Sequence, residues 1–298
     1  MGLRDLRMSS PASAGERLPM EQDRTTNPYR PPIFPGEDRE SSSPEIEHEQ
    51  QRLTYSLCRV GFGILSFALV LACFTSLLWL LPWFGARNVV RAIVNTRAWA
   101  WIDVPIVWGS LVGTYLLWGR WRERGWQRRS GLLLLMCFVD SALWFLEHAT
   151  DLGIHEGEVG HEWLRNQLGQ ALGWAEFTLI AGLACDLLAH LGVDQAPEAG
   201  KATRSLAATG AVVWLILFLK RTAWRKGWPL LDGGIDSPET LLLTMGSHMI
   251  WAITLIQVTA LTIAATRQTT RILRDMEREH QEHEMLRSSS EHSDFLGT

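Results

Sequence analysis

Two stretches of this chain contain no Asp, Glu, Lys or Arg: Val60 to Ala86 and Thr240 to Thr266. No other feature restricts the fold as strongly. At a rise of about 1.5 Å per residue, about 20 apolar residues cover the roughly 30 Å hydrocarbon core of a bilayer. Either run is long enough alone, and a buried helix of a soluble domain rarely needs so many. A segment in lipid must satisfy its own backbone hydrogen bonds, so a continuous apolar run is a helix there. Alternating patterning of the β-barrel kind is absent.

Four more apolar segments follow the same logic. The sequence predicts an all-α polytopic transmembrane helix bundle of about six spans, near 57–82, 99–119, 130–148, 167–190, 203–219 and 240–265. The fifth is short, and if it were re-entrant the count would fall to five. The transmembrane domain then covers 53–266. Residues 1–52 are rich in Pro, Ser, Glu and Arg and predict a disordered polar region, because such composition buries too little apolar surface to offset chain ordering. Residues 267–298 predict a charged helix continuing the last span, with a disordered end. Between the first two spans, Arg87, Arg91 and Arg97 punctuate Val89, Val90, Ile93 and Val94, which fits a helix lying on the membrane surface or a plain linker.

Composition sharpens this picture. Fifteen Trp is a high count, and Trp83, Trp99, Trp101, Trp118, Trp121, Trp163, Trp224 and Trp228 sit where apolar runs meet charge, as indoles do at the headgroup level. Cys58, Cys73, Cys137 and Cys185 form no CxxC pair and read as small core residues. Basic residues are dispersed or flank spans, which excludes a nucleic-acid partner and leaves the lipid bilayer as the main one. Protein partners could also be met through the polar tails.

Arg120, Arg122, Arg124, Arg128 and Arg129 form the densest basic cluster. It is expected in the cytoplasm, which places both termini there in a cell (inner) membrane. Lys220, Arg221, Arg225 and Lys226 oppose that assignment.

An ionisable group at the centre of a span costs about 2.5–3.5 kcal/mol on insertion scales, so such groups usually face the bundle interior and often serve a function. From the span boundaries, Asp140, Glu176 and His248 fall at similar depth in the outer half of the bundle. Glu147, His148, Asp151, His155 and His161 form an acidic, His-containing mouth above them. Carboxylate and imidazole suit a divalent metal such as zinc, iron or manganese, with hydrolysis or oxidation of a lipid-like substrate as the chemistry. The same residues suit proton or cation translocation. A structural polar layer in a membrane scaffold or sensor is the third reading. No HExxH or comparable motif selects among them. Asp186 and His190, four residues apart, read as a local pair on one helix face.

Overall fold

The computed structural model describes residues 44–94, 101–119, 121, 124–151, 160–225 and 237–296. Among these, the regular structure is entirely helical. The elements are α1 (Pro44–Leu80), α2 (Arg87–Val94), α3 (Asp103–Leu117), α4 (Arg124–Asp151), α5 (Gly160–His190), α6 (Ala196–Arg225) and α7 (Pro238–Leu296). Five of them, α1 and α4 to α7, are long and apolar enough to cross a membrane. The second expected segment, α3, has only 15 residues, about 22 Å of helix.

Several boundaries move relative to expectation, each for a local reason. α1 begins at Pro44, so nine residues of the region expected to be disordered are helical. Proline at the first helical position followed by glutamates is a strong start signal; the rest of that region lies outside the described residues. The first helix ends where Pro82 tightens the chain into a 3-10 turn over Leu81–Phe84, closed by Gly85 at φ +87°. Only a residue without Cβ adopts that backbone readily. The segment Arg87–Val94 is a helix with Val90 buried, not a plain linker. The fifth segment is not short: α6 has 30 residues, opening with Pro197 and Glu198 in its first turn, and it is long and apolar enough to cross a membrane. α7 has 59 residues and stays helical to Leu296, about 88 Å in all.

Consecutive long helices run antiparallel. Leu117 meets Trp126 while Thr114 meets Cys137. Arg129 pairs with Asp186, while Asp140 lies against Gly169. Trp174 packs on Gly210 while Cys185 packs on Gly200. α1 packs most extensively against α3 and α7. Its closest approach is to α3, where Gly61 and Gly113 bring the backbones together. Such small-residue contacts hold helices where lipid supplies no hydrophobic drive for association.

Along α7 stand Thr259, Thr262, Thr266 and Thr269, and α1 meets two of them, Thr259 through Cys73 and Thr266 through Gly63. Cys73 Sγ lies 3.4 Å from Thr259 Oγ1. Each of the four hydroxyls returns to a backbone carbonyl of its own helix, so none is left unsatisfied in lipid. At the far end Arg52 Nη2 meets Glu277 Oε1 at 3.2 Å. The start of α1 and the extension of α7 therefore leave the bundle from the same end.

α5 is the central helix, packed against α4, α6 and α7. Its core contact is aromatic: Trp251 of α7 lies edge-on to Trp174 at 4.8 Å and tilted on Phe177 at 4.7 Å. Gly173 provides the room, since a Cβ there would stand 2.4 Å from the Trp251 ring.

Candidate functional site

The α4–α5 contact carries the acidic residues of interest. Arg129 and Asp186 pair near the end of the bundle that holds the start of α1. From Arg129 to Asp140 is 11 residues, about 16 Å along α4; from Asp186 back to Glu176 is 10, about 15 Å along α5. Both acids thus lie well inside the bundle at nearly the same level.

Their surroundings differ. Asp140 is half-buried, with Oδ1 3.8 Å from the point a Cβ at Gly169 would occupy. The missing side chain lets the carboxylate lie against α5. Glu176 is oriented inward, and its carboxyl group interacts with the Cys137 thiol and the Asp140 carboxyl. Cys137 is buried, and its Sγ lies 3.7 Å from the buried Thr114 Oγ1 of α3. A short polar track therefore runs Thr114, Cys137, Glu176, Asp140 across three helices. One of its atoms stands out: Glu176 Oε1 is sealed from solvent and has no hydrogen-bond partner among the described residues. A buried polar atom without a partner is costly, about 1–3 kcal/mol and more if charged. Such an exception points to strain, an ion or a catalytic role.

The chain matches no known protein family, no curated protein and no solved structure.

The third residue of the expected set stands elsewhere on its helix. His248 is exposed, and its Nδ1 lies 2.7 Å from Thr244 O. The inward face of α7 at this level is held by Trp251, three residues on, which fills the space against Gly173 and Trp174. Among the described residues no three His, Cys, Asp or Glu side chains stand close enough to hold one metal ion. Asp140 and Glu176 come together; His248 does not join them in such a group. The expected mouth residues Glu147, His148 and Asp151 fall in the last turns of α4 and His161 in the first turn of α5. Their side chains, and His155 entirely, lie outside the described residues.

Sequence reading missed two features. Asp186 finds its cation across the helix contact, in Arg129. His190 meets the Trp121 ring at 4.5 Å, within an aromatic group that includes Tyr55 and Trp126. Inserting Trp121 there closes the α3–α4 turn onto α1 and α5. The run of arginines around Trp121 and Trp126 was the visible signal, and it read only as a topogenic cluster.

Proposed function

We propose that this membrane protein handles protons or small cations through the Asp140–Glu176 acid pair. The observation that carries the reading is Glu176 Oε1, buried within the bundle without a hydrogen-bond partner among the described residues, beside a second carboxyl group. Two acids placed in a span, each at an insertion cost of about 2.5–3.5 kcal/mol, are an expensive way to fill space. Their chemistry suits a proton or cation that is taken up at one carboxylate and passed to its neighbour. Thr114 and Cys137 continue the polar track toward α3. Metal-dependent chemistry on a lipid-like substrate has less support, since His248 lies outside the group. Both termini and the Arg124–Arg129 end would face the cytoplasm, in keeping with the concentration of arginine there.

The test is reconstitution in liposomes enclosing a pH-sensitive dye, with a potassium diffusion potential as driving force. Wild-type protein should acidify the lumen faster than empty liposomes do, and Glu176→Gln and Asp140→Asn should each return the rate to that baseline. Replacing the diffusion potential by a sodium or a potassium gradient, read with the matching indicator, identifies the carried ion. Wild-type flux no greater than empty liposomes for all three ions overturns the proposal. So does flux that both variants leave unchanged.

A further inference from the structure

Away from the acid pair, residues of α3 and α4 line an apolar groove of about 580 Å³. Its walls include Tyr115, Trp118, Gly131, Leu134, Leu135 and Phe138. Tyr115, Trp118, Leu135 and Phe138 are exposed. The volume falls within the range of about 300–1,000 Å³ typical of small-molecule sites. Groove residues alone do not say what fills it; the face of α4 they belong to does.

Arg124, Arg128, Gly131, Leu135 and Phe138 follow one another at spacings of four, three, four and three. At about 100° per residue they stay within about 40° of a single line along the helix. The groove floor therefore runs directly into two exposed arginines. From Arg128 to Phe138 is ten residues, about 15 Å, which is half the roughly 30 Å hydrocarbon core. Cationic groups at one end and an apolar trough one leaflet deep have the dimensions of a single phospholipid. Trp118 Nε1 stands 3.4 Å from the point a Cβ at Gly131 would take, which brings an indole N–H over the arginine end of the trough. That is the level of a lipid's ester groups.

We propose that the α3–α4 groove is a binding site for one anionic glycerophospholipid of the leaflet that holds Arg124. An acyl chain lies along Gly131, Leu135 and Phe138, and the phosphate is held by Arg124 and Arg128. The charge complementarity selects an anionic headgroup over a zwitterionic one.

Native mass spectrometry of the full chain released from detergent tests this. The probes are dioleoyl phosphatidylglycerol and dioleoyl phosphatidylcholine, which share acyl chains and differ in headgroup charge. One phosphatidylglycerol should be retained per chain with an affinity about tenfold or more above phosphatidylcholine, as two interfacial cations provide. The double variant Arg124→Gln/Arg128→Gln should lose that preference. Leu135→Trp, which fills the trough and leaves both arginines, should lower binding of both lipids. All three positions are exposed, so folding is checked simply by an unchanged thermal transition. Equal retention of the two lipids by the wild type overturns the proposal, as does phosphatidylglycerol binding that survives Leu135→Trp. A dimer that buries Leu135 and Phe138 and binds no lipid also overturns it, and assigns the groove to a second copy of the chain.

Discussion

Replacing Gly113 by alanine tests the α1–α3 contact at its tightest point. A Cβ at 113 would stand 2.7 Å from Leu65 Cγ, 2.9 Å from Gly61 O and 3.1 Å from Leu65 N. Ordinary carbon contacts lie at about 3.5–4.0 Å. Leu65 can move its side chain, but the Gly61 carbonyl and the Leu65 amide belong to the α1 backbone and cannot rotate away. The helices must therefore separate by several tenths of an ångström, and overpacking of this kind costs about 1–3 kcal/mol. Alanine also gains about 1 kcal/mol over glycine in a helix interior, which masks part of the loss. Gly246→Ala measures that masking term, because a Cβ there meets nothing within 4 Å. The expected result is that Gly113→Ala is less stable than Gly246→Ala by about 1–3 kcal/mol. Reversible unfolding in mixed micelles with increasing SDS, followed by tryptophan fluorescence, reads the difference. Equal stability of the two variants refutes the close backbone approach.

Two further predictions use the same titration. Trp251→Ala removes the ring packed on Gly173, Trp174 and Phe177 and should cost about 3 kcal/mol or more, whereas His248→Ala should stay within about 0.5 kcal/mol; a comparable loss at His248 contradicts its exposed placement. Ending the chain after Leu286 should leave stability unchanged, while ending it after Arg267 removes buried Ile272 and Leu273 and should cost about 3 kcal/mol or more at about 1.5–3 kcal/mol per buried side chain; insensitivity to the longer deletion would mean that the α7 extension does not pack against the start of α1.

The sequence by itself determined that the chain is helical and which segments are long and apolar enough to cross a membrane. Insertion is a property of each segment: its free energy sums over its own residues, and its backbone must be satisfied within itself. The runs at Val60–Ala86 and Thr240–Thr266 were therefore decisive without any partner in view. The acids Asp140 and Glu176 were visible for the same reason, as local departures from apolar composition. What only the tertiary structure decided is which face of each helix turns inward. In water an amphipathic stripe announces the buried face, but lipid is as apolar as leucine, so a membrane helix need carry no such stripe. The inward face is chosen by fit between residues far apart in sequence: Trp251 against Gly173, Gly113 against Gly61, Trp174 against Gly210. His248 shares its depth with the acid pair, yet Trp251 takes the inward position and leaves the imidazole exposed. Depth was legible because it counts residues along one helix; rotation was not, because it is set by the shape of another.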